Sequence, residues 1–185
     1  MSTAAANVRP RAVFLDRDGV LNEVTVRDGV PLPPPSVDQM RLLDGAEQAC
    51  RRLKELGYLL IVVTNQPDIA RGKQSWAEVD RMHAFLRAQL PVDEVIVCPH
   101  DDADGCECRK PKPGMLLDAA RRWDIDLDAS YSVGDRWRDV EAAQRAHVPA
   151  IYIDRRYGER SATGAFTTAG SLLEALPHIE SDPHP

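Results

Sequence analysis

The chain has 185 residues, of which 43% are hydrophobic, and a net charge of −6. This length suits one domain with a sizeable core, and the composition excludes a wholly disordered or collagen-like chain. The acidic balance argues against nucleic acid as a partner, because phosphate backbones attract clustered cations. No apolar run is long enough to cross a bilayer, and residues 1–11 lack the apolar segment of a secretory signal, so we expect a cytoplasmic protein with no membrane partner.

Apolar strands alternate with amphipathic helices along the chain. Strands are predicted at 12–15, 58–63, 95–97, 130–133 and 150–153, and helices at 46–56, 76–90, 114–123, 140–146 and 171–176. Ser75 and Glu78 have the spacing of a capping box at the start of the second helix. Residues 29–37 contain four prolines and are predicted to form an extended loop without helix.

This alternation is typical of an α/β fold in which helices cover both faces of a parallel sheet. We therefore expect a three-layer, doubly wound parallel sheet with no separate cap domain. The domain is predicted to span residues 11–178, with flexible tails at 1–10 and 179–185.

Polar residues follow every predicted strand except the last. In order, these are Asp16 to Gly19, Thr64 to Gln66, a Cys/His cluster leading to Arg109 and Lys110, and Gly134 with Asp135. Because binding sites of such sheets lie at the carboxyl ends of the strands, this pattern indicates an enzyme.

The first of these groups contains two carboxylates. Asp16 and Asp18 lie two residues apart on an extended chain, so their side chains point to the same side. Paired carboxylates repel each other unless a cation or a proton separates them, and Mg²⁺ prefers such oxygen ligands. Asp135 is a candidate for a third ligand. Taken alone, two such aspartates would more commonly cap a loop.

Lysine is scarce in this sequence. Its four lysines are Lys54, Lys73, Lys110 and Lys112, among 23 basic residues. The compact charge of lysine differs from the planar arginine fork, so Lys110 is a candidate for contact with a phosphoryl oxygen. Lys112 is interpreted as part of a solvated loop.

Three of the four cysteines lie in one short stretch with a histidine. Cys98, His100, Cys106 and Cys108 supply three thiols and one imidazole in a loop over residues 98–108, which is the full donor set that structural zinc sites use. Their spacings are tighter than in zinc fingers, so free thiols remain an alternative. A disulfide between Cys106 and Cys108 is disfavoured by geometry. Cys50 lies on the apolar face of the first helix and is assigned to the core.

Four segments resemble, in order, the motifs of haloacid dehalogenase-like phosphatases. They are FLDRDGVLN, VVTNQ, CRKPKPGM and SVGDRWRD. The CPH…CEC pattern is similar to the zinc-containing branch that includes heptose bisphosphate and histidinol-phosphate phosphatases. The resemblance covers roughly residues 12–147 and implies a Rossmann-like core.

The resemblance implies a role for each matching residue. Asp16 is the nucleophile that forms an aspartyl-phosphate, and Asp18 is the general acid and base. Thr64 and Lys110 bind the phosphoryl oxygens. Mg²⁺ is held by Asp16, the carbonyl of Asp18, and Asp135. The zinc ligands are Cys98, His100, Cys106 and Cys108, and the substrate-binding candidates are Asn65, Gln66, Arg109 and Arg136.

The expected substrate is a small sugar phosphate, foremost D-glycero-D-manno-heptose 1,7-bisphosphate. Arg109 and the segment from Gln66 to Lys73 resemble the corresponding residues of the heptose bisphosphate branch. Arg71 and Lys73 themselves are equally consistent with surface charge. The short gap in the cysteine loop favours histidinol phosphate as an alternative. A receiver-like phosphoacceptor and a non-catalytic zinc-stabilised binding module are the alternatives from other classes. A monomer is expected.

Overall fold

The computed structural model describes residues 9–181, and most of the two predicted tails, residues 1–8 and 182–185, lies outside this range. The strands are β1 (Ala12–Leu15), β2 (Thr25–Arg27), β3 (Val30–Leu32), β4 (Leu59–Asn65), β5 (Glu94–Cys98), β6 (Tyr131–Gly134), β7 (Ala150–Ile153) and β8 (Thr167–Ala169). The α-helices are α1 (Ala46–Glu55), α2 (Trp76–Gln89), α3 (Gly114–Trp123), α4 (Trp137–Arg145) and α5 (Leu172–Glu180). Short 3₁₀ turns occur at Val37–Gln39 and Asp102–Asp104.

Six strands form one parallel sheet in the order β5-β4-β1-β6-β7-β8. β1 lies in the interior, where Phe14 pairs with Ile61 of β4 and with Ser132 of β6. From β1 the chain moves outward through β4 and β5, and then returns to β6 on the opposite side. The strand order therefore reverses at β1, and ligands of open parallel sheets bind beyond the carboxyl ends of the strands at such a point.

Helices cover both faces of the sheet, and the side chains of β1 alternate between two cores. Val13 and Leu15 pack with residues of α1, α2 and α5, including Cys50 as predicted. Ala12 and Phe14 pack with residues of α3 and α4. Successive strand residues point to opposite faces, so each interior strand contributes to both cores. The predicted three-layer, doubly wound parallel sheet is confirmed.

Several helix boundaries differ from the prediction. α4 begins at Trp137 instead of residue 140, because the Asp139 carboxylate accepts a hydrogen bond from Arg136 N at 2.9 Å and caps a polar first turn. α5 extends to Glu180, past the predicted domain end at residue 178. The capping box of α2 is half formed. Ser75 caps the helix, but the Glu78 carboxylate accepts from Val37 N at 2.6 Å instead.

The proline-rich segment is not a simple loop. It contains β3, which pairs antiparallel with β2 and forms a hairpin beside the carboxyl end of β1. Proline is tolerated there because each strand of a two-stranded ribbon is an edge. The short edge strand β8 was also not predicted, since its three residues lack apolar alternation. None of the helices within residues 9–181 combines the length and apolar character needed to cross a bilayer.

Candidate active site

The polar residues predicted at the strand ends line one cavity of about 350 Å³. Its lining includes Asp16, Asp18, Thr64, Asn65, Gln66, Arg109, Lys110, Asp135 and Arg136. They meet because β4, β1 and β6 are parallel neighbours with aligned carboxyl ends. The volume lies within the range of small-molecule sites, about 300–1,000 Å³. Residues of the β2–β3 hairpin form part of the wall.

Lys110 is buried and joins two carboxylates. Its Nζ lies 2.9 Å from Asp16 Oδ1 and 2.6 Å from Asp139 Oδ1, and it donates to Val63 O at 2.8 Å. Burial lowers the pKa of Lys110, but the carboxylates of Asp139 and Asp16 outweigh this effect and raise it above its ordinary value. Lys110 therefore holds a fixed positive charge beside Asp16.

Glycine is required at two close approaches in this site. Gly19 has φ +83°, and a Cβ there would overlap Asp135 Oδ2 and crowd the Tyr157 hydroxyl. Gly134 ends β6, and a Cβ there would overlap the side chain of Asp139. Both glycines let a carboxylate pack directly against the backbone.

Three buried carboxylates form a cluster that fits a divalent cation. Oxygens of Asp16, Asp135 and Asp139 lie within 4.8 Å of one another. With all groups ionised, the three carboxylates and the single ammonium group of Lys110 leave two negative charges, which a divalent cation would balance. Among the described residues, Asp135 Oδ1 is buried without a hydrogen-bonding partner. An unpaired buried oxygen is costly unless a ligand such as Mg²⁺ satisfies it.

The cluster residues differ in how their oxygens are used. Asp135 Oδ2 accepts from the Tyr157 hydroxyl at 2.7 Å, which leaves Oδ1 for a cation. Both oxygens of Asp139 are engaged, Oδ1 with Lys110 and Oδ2 with Arg136 N. Asp139, which the sequence analysis missed, therefore positions Lys110. The sequence feature that could have identified Asp139 is its position four residues after Asp135, in the first turn of α4.

The carboxyl groups of Asp16 and Asp18 differ in environment. Burial raises the pKa of Asp16 to about 6, although Lys110 opposes the shift. Burial acts on Asp18 too, but the charge and hydrogen bonds of Arg17, with bonds from other side chains, outweigh it and lower the pKa of Asp18. Asp16 is harder to ionise because it is buried, and the nearby charges of Asp139 and Asp18 add to this effect. A divalent cation at the cluster would favour its ionised form.

A shell of hydrogen bonds fixes Asp18. Arg17 is fully buried and donates to both carboxylate oxygens, from Nη2 at 2.9 Å and Nε at 3.2 Å. Asn22 and Gln66 donate to the same carboxylate at 3.0 and 2.9 Å. Arg17 Nη1 lies 3.3 Å from His83 Nε2. Burial lowers the pKa of His83 to about 4, so its ring is neutral and Nε2 accepts.

Two predicted substrate residues also make internal contacts. Gln66 Nε2 donates to Thr64 Oγ1 at 2.9 Å, so the Thr64 hydroxyl can direct its own proton into the cavity. Asn65 Nδ2 donates to Lys110 O at 3.0 Å and its Oδ1 accepts from Lys110 N at 3.1 Å. Both amides position neighbouring catalytic candidates, and their contact with substrate stays a prediction.

The cysteine cluster brings four ligand atoms together. Sγ of Cys108 lies 3.2 Å from that of Cys98 and 3.5 Å from that of Cys106, and His100 Nδ1 lies 3.3 Å from Cys108 Sγ. Tetrahedral zinc, with bonds of about 2.0–2.3 Å, separates its ligands by about 3.5–3.8 Å. All three thiols are free. The donor set and its spacing fit a closed structural zinc site.

Ion pairs connect this loop to the cavity. Arg71 binds both oxygens of Asp101, each at 2.7 Å. Arg109 donates to Asp102 Oδ1 at 2.9 Å and to His100 O at 3.2 Å. The order of the loop therefore determines the position of Arg109.

Residues 155–159, here called the rim strap, connect several parts of the site. Arg155 donates to Gly19 O at 2.9 Å, Tyr157 contacts Asp135, and Glu159 binds the predicted substrate residue Arg136 through two hydrogen bonds. The sequence analysis missed this segment because an extended strap has no periodic pattern. Arg17 and His83 gave no signal either, since their pairing arises only from packing.

The chain is similar to a family of hydrolases over most of its length. Residues 35–147, more than half of the chain, match the sequence profile described as haloacid dehalogenase-like hydrolase. The D-glycero-beta-D-manno-heptose-1,7-bisphosphate 7-phosphatase of Yersinia pestis is 38% identical, and the alignment covers 89% of this chain and 94% of that protein. The protein of the same name from Salmonella typhi is 40% identical, with 92% and 93% covered.

The fold is similar to that of a solved relative. The crystal structure of D,D-heptose 1,7-bisphosphate phosphatase from B. bronchiseptica, complexed with magnesium and phosphate, aligns with a TM-score of 0.79 and 31% identity. The alignment covers 92% of this chain and 98% of that one. The similarity in fold therefore extends over nearly the whole chain.

Proposed function

Because this chain belongs to the haloacid dehalogenase-like hydrolase family, we propose that it is a Mg²⁺-dependent phosphatase acting on a sugar bisphosphate. The observation that carries the proposal is the single cavity in which Asp16, Asp18, Thr64 and Lys110 meet beside a buried carboxylate cluster. Phosphoryl transfer needs mainly positioning and neutralisation of charge, and this cavity is built for both.

The hydrogen bonds favour Asp16 as the nucleophile. Four donors on three side chains occupy the carboxylate of Asp18, whereas among the described side chains only Lys110 donates a hydrogen bond to that of Asp16. An oxygen of Asp16 attacks phosphorus, the bond from phosphorus to the alkoxide breaks, and Asp18 gives a proton to the leaving oxygen. Lys110 and the Thr64 hydroxyl stabilise the phosphoryl oxygens. A bound Mg²⁺ would neutralise charge on the phosphoryl group and orient it.

The second step restores the enzyme. Asp18, now a carboxylate, takes a proton from water, the water oxygen bonds to phosphorus, and the bond from phosphorus to Asp16 breaks to release inorganic phosphate. Splitting hydrolysis into two displacements lowers each barrier. Arg17 holds Asp18 ionised in the resting chain, so Asp18 first takes a proton from a monoanionic phosphate ester and then passes it to the leaving oxygen. The second pKa of such esters is about 6, which keeps this form available near neutrality.

The zinc proposal concerns stability and positioning. Three thiols and one imidazole leave no open coordination position, so zinc here would be structural. It would fix the loop that carries Arg109 and Lys110. The proposal includes a reducing compartment such as the cytoplasm, because the thiols must stay reduced to bind metal. The monomeric state stays a prediction.

Heptose 1,7-bisphosphate is the proposed substrate, with the 7-phosphate removed. Its support is the named activity of the relatives from Yersinia pestis and Salmonella typhi, together with arginines at the cavity wall that can bind a second phosphate. Histidinol phosphate remains the second candidate because of the short gap between His100 and Cys106. A receiver domain is disfavoured because Asp16 and Asp18 both follow β1.

Phosphate release measures this proposal directly. We expect Mg²⁺-dependent release from heptose 1,7-bisphosphate with a kcat/KM at least about tenfold above that for histidinol phosphate, since discrimination is the ratio of these values. The Asp118→Asn variant, changed on the exposed face of α3, is a matched control for Asp16→Asn. A higher kcat/KM for histidinol phosphate would reverse the substrate assignment, and full turnover by Asp16→Asn would overturn the mechanism.

A further inference from the structure

Two guanidinium groups share one carboxylate at the cavity wall. Asp102 Oδ1 lies 2.9 Å from Arg109 Nε and 3.3 Å from Arg138 Nη1. Within residues 9–181, Asp102 is the only carboxylate that forms an ion pair with either arginine. The group of three side chains, here called the arginine pair with Asp102, therefore has one positive charge in excess. All three side chains line the cavity that contains Asp16.

Neighbouring cations in the same wall differ from this pair. Lys110 has two carboxylate partners, and Arg71 also has two. Arg136 has Glu159 as its own partner through two hydrogen bonds. Lys73 also lines the cavity and has no ion-pair partner within residues 9–181. The unbalanced positive charge of the wall therefore lies at Lys73 and where Arg109 and Arg138 meet, and at the second place two cations share a single carboxylate.

The two arginines are held in place more firmly than the carboxylate. Arg109 also donates to His100 O at 3.2 Å, and Arg138 lies over the Trp137 ring with its Cζ 4.5 Å from the centroid. The exposed fraction is 11% for the Arg109 side chain and 25% for that of Arg138, but 58% for Asp102. Guanidinium groups that are already ordered in the binding geometry lose less conformational entropy when an anion binds. The exposed carboxylate, in contrast, can leave the pair at little cost.

We propose that Arg138 joins Arg109 in binding the second phosphate of a bisphosphate substrate, and that Asp102 occupies this anion site until substrate displaces it. This inference rests on the proposed function and adds a residue and a competition to it. A phosphate monoester carries a charge of about −1.5 to −2 and three acceptor oxygens, so it satisfies two guanidinium groups better than one carboxylate does.

The competition predicts opposite effects of two substitutions. Arg138→Gln removes one donor group and should weaken binding of the bisphosphate about tenfold or more, as charge-assisted hydrogen bonds do. Asp102→Asn removes the competing carboxylate and should strengthen binding about two- to fivefold, the range expected of an exposed ion pair. If Asp102 served only to position Arg109, Asp102→Asn would weaken binding instead.

Calorimetry on the Asp16→Asn chain measures the binding affinity for each ligand without turnover. The ligands are heptose 1,7-bisphosphate and the corresponding 7-monophosphate, which differ by the second phosphate alone. Arg138→Gln should reduce the preference for the bisphosphate, Asp102→Asn should increase it, and Arg121→Gln on α3, outside the cavity, should change neither. Zinc content measured on each variant confirms that the loop stays folded.

The outcomes separate this proposal from the proposed function. The anion site would be overturned if the substitutions changed the affinities for both ligands equally or left them unchanged. It would also be overturned if Asp102→Asn bound the bisphosphate more weakly, or if the Asp16→Asn chain without further substitution showed no preference for the bisphosphate. Opposite shifts combined with no Mg²⁺-dependent phosphate release by the unmodified chain would support the anion site and overturn the phosphatase. Mg²⁺-dependent phosphate release by the unmodified chain without these opposite shifts would support the phosphatase and overturn the anion site.

Discussion

Mg²⁺ and a proton should compete for the carboxylate of Asp16. Burial raises the pKa of this group to about 6. At pH 7 it is about 90% ionised and at pH 5 about 10%, so protonation of Asp16 alone should lower the apparent affinity for Mg²⁺ about tenfold across this interval. Burial also raises the pKa of Asp135, which adds to the proton competition. With Mg²⁺ well above its dissociation constant at both pH values, the free energy of unfolding gained from the metal should therefore be at least about 1.4 kcal/mol smaller at pH 5.

The metal-free chain should show the complementary trend. Because the pKa of Asp16 in the folded chain lies above its ordinary value of 3.8, the folded state binds more protons between these values. The stability from this group is therefore present at low pH and is lost as the pH rises through about 4 to 6, by up to about 3 kcal/mol. Mg²⁺ should restore it at neutral pH.

Thermal unfolding with and without Mg²⁺ at pH 5 and pH 7 tests this competition. For a domain of this size, about 1.4 kcal/mol corresponds to a difference of about 3–6 °C between the two Mg²⁺-induced Tm shifts. Asp135→Asn should remove most of the shift, whereas Asp118→Asn on the surface of α3 should retain it. An equal shift at both pH values, or a full shift in Asp135→Asn, would refute the reasoning.

Three further predictions concern the surroundings of the site. Zinc removal by a strong chelator should lower both Tm and activity even after Mg²⁺ is added back, and intact activity would contradict the link between residues 98–108 and the cavity. Tyr157→Phe removes the hydrogen bond to Asp135 and should weaken Mn²⁺ or Mg²⁺ binding about tenfold by calorimetry, while unchanged affinity would exclude a positioning role. His83 has a folded pKa of about 4, below its ordinary 6.5, so its stability contribution of about 3 kcal/mol should be lost as the pH falls through this interval. Urea unfolding of His83→Gln should lack that loss, whereas the exposed His178→Gln should keep it.

The strand-end residues could be predicted because a parallel sheet aligns the carboxyl ends of its strands. Asp16, Thr64 and Asp135 follow three different strands in the sequence, and the pairing of β4, β1 and β6 brings them to one cavity. The cysteine cluster was equally predictable from the sequence, since its four candidate ligands lie within eleven consecutive residues, 98–108. In both cases a short sequence pattern determines the three-dimensional arrangement.

The supporting residues could not be predicted because their partners are distant in the chain. Arg17 meets His83 only after α2 packs on the sheet, and the rim strap at 155–159 has no apolar pattern. The family resemblance implied different roles for Asp16 and Asp18, but the directions of their pKa shifts come from burial, from Arg17 and from the neighbouring carboxylates. Burial and long-range ion pairs set these pKa values, and neither is visible in local spacing.

Trapping the covalent intermediate tests the proposed mechanism most directly. During turnover of heptose 1,7-bisphosphate with Mg²⁺, rapid acid quenching followed by borohydride reduction converts an aspartyl-phosphate to homoserine, which peptide mass spectrometry locates in the sequence. We predict homoserine at position 16, dependent on substrate and absent from Asp16→Asn. Steady phosphate release without a reduced residue at position 16, or with the label at another carboxylate, would contradict it.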